Sequence, residues 1–328
     1  MGPIHAGMGA RQVKSTFDAI PAGSKIRSSL AFMAGEHSIC LPVLMVRGGL
    51  PGPTLLVTAG VHGDEYEGVR TIFEVFDSLD AAGMKGNFLA VPVMNPPAFW
   101  NISRTSPLDG ANLARVFPGL QAGTPTEAIA YHFDQHILPL ADFYIDLHSA
   151  GVKCAMPTLI GYLETDAAAA SAAEIFGAPV IWCHPSVPPG RTVSAATDRG
   201  IPCLYAEARG AGRIDPEDLS CYRRGIANVM KHMGIVSGAV EVPEKVTRLY
   251  GDGNVDASIS SPVRGFLMPR VKLLETVAKG QALGVLVDMS GMEVEFFHSP
   301  CDGVVVLIHE CPLVQAEEPL FLITRSMQ

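Results

Sequence analysis

The fold of this chain is decided by the stretch Thr54-Leu-Leu-Val-Thr-Ala-Gly-Val-His-Gly-Asp-Glu65. A β-rich apolar run ends at Gly60, and His62 and Glu65, two side chains that bind metals well, follow just before a helical pattern begins. Open α/β sheets place their chemistry where strands end and loops begin. We therefore interpret His62 and Glu65 as the first two ligands of a catalytic zinc. The rest of the chain is then expected to supply a third ligand, a base and a substrate site.

The composition is that of an ordinary globular protein. The chain has 328 residues, of which 48% are hydrophobic and 17% are charged, enough for one large core and a smaller second one. The formal net charge is −9, so the sequence lacks the basic character that nucleic-acid binding requires. We expect no nucleic-acid partner.

Cysteine usage and the N-terminal sequence favour a cytoplasmic enzyme. The seven cysteines form no C-x-x-C pair, which argues against a zinc ribbon or a redox dithiol, and we expect reduced, mostly buried thiols. Met1-Gly-Pro-Ile-His5 lacks the cationic and apolar segments of a signal peptide. No apolar run approaches the roughly 20 residues needed to span a bilayer, so no membrane partner is expected.

Strand and helix patterns alternate through the first two thirds of the chain. Two antiparallel edge strands are predicted within residues 1–50, at 26–33 and 38–46. Further strands are predicted at 54–59, 87–94, 142–147, 156–161, 179–182 and 201–206, and helices at 65–79, 125–138, 166–176 and 216–234. This alternation favours a buried, largely parallel sheet that is covered on both faces. The long Gly/Pro-rich segment 95–123 is predicted to be a functional loop.

The pattern changes near residue 238. After Val240 short apolar strands alternate with Gly and Pro turns, which predicts an all-β module. We therefore place a catalytic domain at 1–238 and a C-terminal β domain at 239–328. The runs that start at Ala278 and Ser299 resemble the biotinyl/lipoyl-type sandwiched hairpin fold. The turn Asp288-Met-Ser-Gly-Met292 has no lysine to carry a cofactor, which predicts a structural relative and not a carrier.

A third metal ligand is predicted at the end of another strand. Ala141-Asp-Phe-Tyr-Ile-Asp-Leu-His-Ser149 reads as a strand that ends on His148. Zinc hydrolases use three protein ligands and leave one position open for water, and His148 would complete such a set. Asp146 lies two residues earlier, on the same strand face, where it could accept the second N–H of the imidazole. The alternative interpretation is a solvated Glu65 beside a turn histidine.

Other histidines are weaker ligand candidates. His132 and His136 lie four residues apart on a predicted helix, but the intervening residues do not form an H-E-x-x-H motif, and we place the pair at the helix surface or the core edge. His184, His298 and His309 have no partner at ligand spacing.

The predicted base is a carboxylate at the same sheet edge. Ile201-Pro-Cys-Leu-Tyr-Ala-Glu207 is an apolar strand that ends in an acid. A carboxyl group at the end of a buried strand is partly desolvated, which raises its pKa and suits a general base. The alternative is that Glu207 only marks the exit of the strand into solvent.

Together these motifs resemble the succinylglutamate desuccinylase/aspartoacylase family of zinc-carboxypeptidase-like hydrolases. The resemblance covers about residues 50–235 and is carried, in order, by His62-Gly-Asp-Glu65, Asn95-Pro96, Asp109-Gly-Ala-Asn-Leu-Ala-Arg-Val-Phe-Pro-Gly119, Asp146-Leu-His-Ser149 and Glu207. It implies a phosphorylase/hydrolase-like mixed α/β sheet with a trailing barrel-sandwich-like β domain that narrows the site. It also implies one Zn²⁺ per chain and hydrolysis of a small N-acyl amino acid.

The resemblance also assigns site residues. It implies His62, Glu65 and His148 as zinc ligands and Glu207 as the base and proton shuttle. Arg104 matches the arginine that polarises the scissile carbonyl, and Arg115 matches the arginine that grips the substrate carboxylate.

One position departs from the family pattern. Ala114 stands where the family usually has an asparagine directly before the arginine, which puts acetyl-aspartate and succinyl-glutamate in doubt as substrates. Asn112 is a nearby candidate for substrate binding. The alternatives are an N-acetyl-diamino-acid deacetylase, a metallocarboxypeptidase that acts on peptides and, outside the enzymes, a non-catalytic binding protein. No G-x-S-x-G motif supports Ser149 as a nucleophile. A homo-oligomer is compatible with the sequence.

Overall fold

Strands and helices alternate through the first 235 residues, as predicted. The computed structural model describes residues 8–9 and 13–326. The strands in this part of the chain are β1 (Met8–Gly9), β2 (Ser24–Ala34), β3 (His37–Arg47), β4 (Leu50–Thr58), β5 (Lys85–Val91), β6 (Phe143–Ser149), β7 (Cys154–Ala155), β8 (Leu159–Leu163), β9 (Val180–His184) and β10 (Cys203–Ala208). The helices are α1 (Val13–Ala19), α2 (Glu67–Ser78), α3 (Pro96–Asn101), α4 (Pro125–His136), α5 (Ala167–Phe176), α6 (Thr192–Asp198) and α7 (Pro216–His232).

The central sheet is mixed and mostly parallel, which confirms the predicted fold class. Its strand order is β1-β2-β3-β5-β4-β6-β10-β8-β9, and β5, β4, β6 and β10 run parallel to one another. The antiparallel β2–β3 pair joins this core through β5, as expected for the N-terminal strands. Because β4, β6 and β10 are parallel neighbours, their carboxyl ends lie at one edge of the sheet.

Helices cover both faces of the sheet because the strand residues alternate between two cores. On β4, Leu55 and Val57 pack against the side of α2, α5 and α7, whereas Leu56 packs against the side of α1, α4 and α6. All three side chains are fully buried. Burial of each is worth about 1.5–3 kcal/mol, so the strand is held firmly in register on both faces.

The C-terminal part is all-β, as predicted, and it continues the main sheet. Among residues 240–326 the structure has one 3₁₀ turn (Val255–Ala257) and no α-helix. The strands are β11 (Thr247–Tyr250), β12 (Ile259–Ser260), β13 (Gly265–Pro269), β14 (Thr276–Val277), β15 (Ala282–Val287), β16 (Glu293–His298), β17 (Gly303–His309), β18 (Leu313–Val314) and β19 (Pro319–Ser326). Strand β11 pairs with β9, and β19, β17 and β14 follow in the same sheet. A second antiparallel sheet has the order β16-β15-β13-β18.

Several predicted element bounds were wrong by a few residues. Strand β5 ends at Val91 because Pro92 has no backbone N–H to continue the ladder. Helix α2 begins at Glu67, which leaves His62 and Glu65 in the preceding loop. The short helices α1, α3 and α6 were missed, and α3 lies inside the segment predicted to be a loop.

Three further expectations concern surroundings and boundaries. All seven cysteines are free, and four of them are buried. Within the described residues, no helix is both long and apolar enough to cross a membrane. The interpretation of residues 1–5 lies outside the described residues, and the domain boundary at 238 stays a prediction.

Candidate metal centre and active site

The loop after β4 and the end of β6 bring three potential metal ligands together. His62, Glu65 and His148 are all buried, and each offers one ligand atom within 4.8 Å of the others. They are the one group of three or more such residues that could hold a metal ion in the described part of the chain. Strands β4 and β6 are parallel neighbours with Thr58 opposite Asp146, and this register brings the three side chains together.

The orientation of the two imidazoles fits a zinc ion. His62 Nδ1 lies 2.7 Å from Glu65 Oε1, and His148 Nδ1 lies 2.9 Å from Glu65 Oε2. The opposite nitrogens are held by acceptors, His62 Nε2 by Asn112 Oδ1 at 3.2 Å and His148 Nε2 by Asp146 Oδ2 at 3.0 Å. Two imidazoles and one carboxylate are a ligand set found in catalytic zinc sites. In such sites a hydrogen-bond acceptor behind each imidazole, here Asn112 and Asp146, fixes the orientation of the ring.

Asp146 is itself fixed by hydroxyl donors. Thr58 Oγ1 donates to Asp146 Oδ1 at 2.6 Å, and Thr192 Oγ1 donates to Oδ2. Burial alone would raise the pKa of Asp146, but the neighbouring His148 and the hydroxyl donors outweigh it and hold this pKa below its usual value. The carboxylate therefore stays charged and keeps the ring of His148 in one orientation.

Glu207 stands beside the ligand group at the end of β10. It pairs in register with His148 on the adjacent parallel strand. Its Oε2 atom is shielded from solvent and has no hydrogen-bond partner among the described residues. Burial raises the pKa of Glu207 to about 8. An unpaired carboxyl group of raised pKa beside a potential metal site has the character of a general base.

Arg104 reaches the same place from the loop that follows α3. Its Nη1 atom donates to Glu65 Oε1 at 3.3 Å. This loop lies close to the His62 loop, and Gly63 N donates to Ser103 O at 2.9 Å. A Cβ atom at Gly63 would lie 2.0 Å from the carbonyl carbon of Ala98, so the approach requires glycine.

The residues of the Asn112–Arg115 turn do not all face the pocket that His62 and His148 line. The Asn112 side chain accepts from Ala114 N at 2.9 Å and contacts His62, and it is not among the residues that line the pocket. Arg115 does line the pocket, but its guanidinium makes two bonds of 2.9 Å to Asp256, which lies in the C-terminal region. The roles of Asn112 and Arg115 in substrate binding stay predictions.

Two cavities meet at Arg104 and Glu207. The first is lined by His62 and His148 together with Arg115, Arg191, Tyr205 and Asp252. The second, of about 660 Å³, lies between the end of the main sheet and the C-terminal strands and includes Lys153, Met156, Leu307 and Glu318. The C-terminal region therefore forms walls of both cavities, in line with the predicted narrowing of the site.

Sequence reasoning missed Arg191, Tyr205 and Asp256. Tyr205 could have been found, because it lies two residues before Glu207 and shares its strand face. Arg191 precedes α6, a helix too short to give a clear pattern. Asp256 lies 141 residues after Arg115, and nothing in the sequence indicates their contact.

The competing histidines have other partners. The ring centroid of His132 lies 3.9 Å from that of Phe32, and burial, assisted by the neighbouring His136, lowers its pKa to about 4. His184 contacts Gly251 O and the Tyr205 hydroxyl. His309 Nδ1 lies 2.9 Å from Pro319 O. None of these three histidines belongs to the potential metal group, although His184 lines the first cavity and His309 the second.

Comparison with known proteins gives a consistent result. Residues 51–233 match the sequence profile described as the succinylglutamate desuccinylase/aspartoacylase catalytic domain. The N-alpha-acetyl-L-2,4-diaminobutyric acid deacetylase of Halomonas elongata is 34% identical over 276 residues, which cover 82% of this chain and 80% of that protein. Similar solved structures include a succinylglutamate desuccinylase from Silicibacter sp. TM1040 (25% identity, TM-score 0.83, 94% and 98% of the two chains). Another is the product-bound ectoine utilization protein EutE (DoeB) from Ruegeria pomeroyi (28% identity, TM-score 0.84, 94% and 98% of the two chains).

Proposed function

The chain belongs to the succinylglutamate desuccinylase/aspartoacylase family, and we propose that it is a zinc-dependent amidohydrolase that deacetylates a small N-acetylated diamino acid. The observation that carries this proposal is the buried group of His62, Glu65 and His148 next to the unpaired carboxyl of Glu207. This arrangement combines a metal-binding donor set with a base at the edge of a pocket, which is what metal-assisted amide hydrolysis requires.

The three buried side chains would hold the metal. His62 and His148 offer their Nδ1 atoms and Glu65 its carboxylate, while Asn112 and Asp146 fix the two rings from behind. A zinc ion bound there supplies a Lewis acid that polarises the acyl carbonyl, lowers the pKa of a water molecule and favours the carboxylate form of Glu207.

Glu207 would move the proton. Its carboxylate takes a proton from the attacking water, whose oxygen forms the new bond to the acyl carbon. The protonated carboxyl then gives that proton to the amide nitrogen as the carbon–nitrogen bond breaks. The products are a carboxylic acid and a free amine, so the proton that leaves water is returned to the leaving group.

The arginines would orient the substrate. Arg104 reaches the metal group and can donate to the developing oxyanion, a contribution of about 2.7–4 kcal/mol per donor in comparable sites. Arg115 would bind the substrate carboxylate by its planar guanidinium. Because Asp256 accepts two hydrogen bonds from this guanidinium, a substrate carboxylate must either displace Asp256 or share the Arg115 guanidinium with it.

A diamino acid is favoured over an acidic amino acid for two reasons. The relative from Halomonas elongata is named for a deacetylase of this kind and aligns over most of this chain. Ala114 also removes the amide that usually precedes Arg115, while Asp252 adds a carboxylate to the wall of the same cavity. Arg191 of the same wall offsets part of the charge of Asp252, but this carboxylate still offers a partner to a second amino group and repels a second carboxylate.

The test is a substrate screen in which zinc content is measured in the same sample. The panel contains Nα-acetyl-2,4-diaminobutyrate, N-acetylaspartate, N-succinylglutamate and a short peptide. We expect the acetylated diamino acid to have the highest kcat/KM and about one zinc per chain. Preferred release of a C-terminal residue from the peptide would instead indicate a carboxypeptidase. Zinc-free protein, grown with adequate metal and inactive on every compound, would indicate a binding protein.

A further inference from the structure

One wall of the first cavity contains a short chain of hydrogen-bonded groups. His184 Nδ1 lies 2.6 Å from Gly251 O, and His184 Nε2 lies 2.8 Å from the hydroxyl oxygen of Tyr205. Both side chains line the cavity, together with Asp252. The hydrolytic steps described above use neither the imidazole of His184 nor the hydroxyl of Tyr205.

The carbonyl group of Gly251 determines where the protons lie along this chain. A carbonyl oxygen only accepts hydrogen bonds, so His184 Nδ1 carries a proton and donates it. Burial lowers the pKa of His184 to about 4, so the ring is neutral near pH 7 and its Nε2 atom is an acceptor. The Tyr205 hydroxyl must therefore donate its one proton to Nε2. Its oxygen keeps only lone pairs, so it can accept a hydrogen bond from a molecule in the cavity but cannot donate one.

Two glycines make room for this pair of rings. The Tyr205 ring lies over Gly161 of the neighbouring strand β8, where a Cβ atom would be 2.0 Å from the ring carbon Cε1. Gly253 has a φ of +62°, and a Cβ atom there would lie 2.5 Å from Cε1 of His184. A side chain at either glycine would displace one of the rings. Packing therefore fixes the position of the Tyr205 hydroxyl as well as hydrogen bonding does.

The two arginines of the first cavity contact a different part of the same wall. Arg191 Nη2 donates to Asn254 Oδ1 at 3.0 Å, and Arg115 donates two bonds of 2.9 Å to Asp256. In the proposed function Arg115 binds the carboxylate of the amine half of the substrate. That half then lies in the first cavity, with its carboxylate towards residues 254–256.

The hydrogen-bond acceptors of the wall lie a few residues earlier. Gly251 anchors the histidine–tyrosine pair, and Asp252 Oδ1 is oriented by a bond of 3.0 Å from Asn254 N. Arg191 offsets part of the charge of Asp252. The wall therefore offers donors for a carboxylate at one end and acceptors at the other. A short diamino acid carries a carboxylate and a second ammonium group a few bonds apart, which matches this order of groups.

From this arrangement we propose that Tyr205 is a specificity-determining residue that accepts a hydrogen bond from the second ammonium group of the diamino acid, while Asp252 supplies the opposite charge. This inference rests on the proposed function, in which the first cavity holds the amine half of the substrate. His184 is a positioning residue, because it takes the hydroxyl proton and so prevents Tyr205 from donating to a carboxylate. An acidic side chain in the same place would meet lone pairs at Tyr205 and a negative charge at Asp252.

The test compares two substrates that differ in one group. The side chain of Nα-acetyl-2,4-diaminobutyrate ends in an ammonium group, and that of Nα-acetylnorvaline ends in a methyl group of similar size. We expect the unaltered protein to prefer the first compound. Tyr205→Phe should lower the ratio of the two kcat/KM values by about 10–100-fold, mainly through KM, and Asp252→Asn should lower it as well. The matched control is Tyr131→Phe on α4, which lies outside the linings of both cavities and should keep the ratio.

Three results of this comparison would overturn the proposal: a ratio that Tyr205→Phe leaves unchanged, an equal loss for both substrates, or a preference of the unaltered protein for the norvaline compound. An unaltered protein that hydrolyses neither compound would refute the proposed function instead. Calorimetric titration with free 2,4-diaminobutyrate and free norvaline then decides the recognition separately. Weaker binding of diaminobutyrate alone to Tyr205→Phe would support it, and equal or absent binding of both compounds to the unaltered protein would overturn it.

His184→Phe tests the positioning role. Without an acceptor at position 184 the Tyr205 hydroxyl regains a proton to donate, so kcat/KM for N-acetylaspartate should rise relative to that for the diamino substrate. A purely structural role would lower both values alike and so overturn the positioning role. Nitrogen NMR of the histidine rings measures the tautomer in the unaltered protein, independently of how the variant folds. We expect a neutral His184 ring with its proton on Nδ1, and a proton on Nε2 near pH 7 would overturn this role of His184.

Discussion

Replacement of Glu207 by glutamine tests the proton-transfer step most directly. Glutamine keeps the shape of the side chain and removes its ability to take a proton. Glu207 Oε2 has no hydrogen-bond partner within residues 8–9 and 13–326, so the change breaks no hydrogen bond of that atom there. We therefore expect the folded state and its zinc content to be preserved.

The expected loss of rate follows from the position of this carboxyl group. A positioned general base contributes about 10²–10⁴-fold, and every factor of ten corresponds to about 1.4 kcal/mol. Glu207 is shielded and paired in register with His148, whereas Asp252, another carboxyl of the first cavity, is exposed. Glutamine cannot take a proton from water, so we expect kcat to fall by about 10³-fold.

The assay measures release of free amine from the preferred substrate at several concentrations, with metal content in the same samples. The matched control is Glu67→Gln, a carboxyl that is 1% exposed and accepts from Gly210 N at 3.1 Å, outside the cavity lining. Glutamine can keep the bond from Gly210 N and loses the longer one from Tyr66 N (3.2 Å), so the control should retain most of its activity. Near-normal turnover of Glu207→Gln would refute the role of the base, and loss of zinc from it would indicate a role in metal binding.

Three further predictions concern the supports of the site and the pH dependence of stability. Asp146→Asn should weaken zinc affinity by about 10–100-fold in chelator competition because His148 loses a charged acceptor, and unchanged affinity would contradict this. Asp256→Asn should lower KM by up to about fivefold at constant kcat. The reason is that the exposed Arg115–Asp256 ion pair, worth at most about 1 kcal/mol, no longer competes with the substrate for Arg115. A raised KM would mean that Asp256 positions the arginine. Burial and the neighbouring His136 lower the pKa of His132 to about 4 in the folded state. The unfolded state therefore binds this proton more tightly, with a pKa of about 6.5. The free energy of unfolding should fall as the pH drops from about 6.5 towards 4. Urea unfolding should show a smaller fall for His132→Phe, and an equal fall would refute this cause.

The part of the site that lies on strand ends could be predicted from the sequence. Parallel strands end at the same edge, so His148 and Glu207 had to lie near the loop that carries His62 once the strands were recognised. Asp146 followed from the two-residue period of a strand. The predicted bounds of the long elements were close to the observed ones because the apolar residues of these elements recur at regular spacing.

The remaining features depend on contacts that no local pattern encodes. The sequence predicts a substrate-binding role for Asn112, but its amide oxygen contacts His62 Nε2 and accepts a hydrogen bond from Ala114 N. The pairing of Arg115 with Asp256 joins residues 141 positions apart. Helix α3 begins with two prolines in a polar segment and has only six residues, too few for a helical period to appear.

The continuity of the large sheet has a mechanical consequence. Strand β11 adds to β9, and β7 pairs with β17, so backbone ladders cross between the wall built by the first 235 residues and the wall built by the C-terminal strands. To swing one wall away from the other, the protein would have to break these ladders, and each buried group left unpaired costs about 1–3 kcal/mol. These strand pairings therefore oppose a change in the distance between the walls. We therefore expect the cavity to adjust to a bound substrate mainly by movement of side chains such as Arg104 and Arg115.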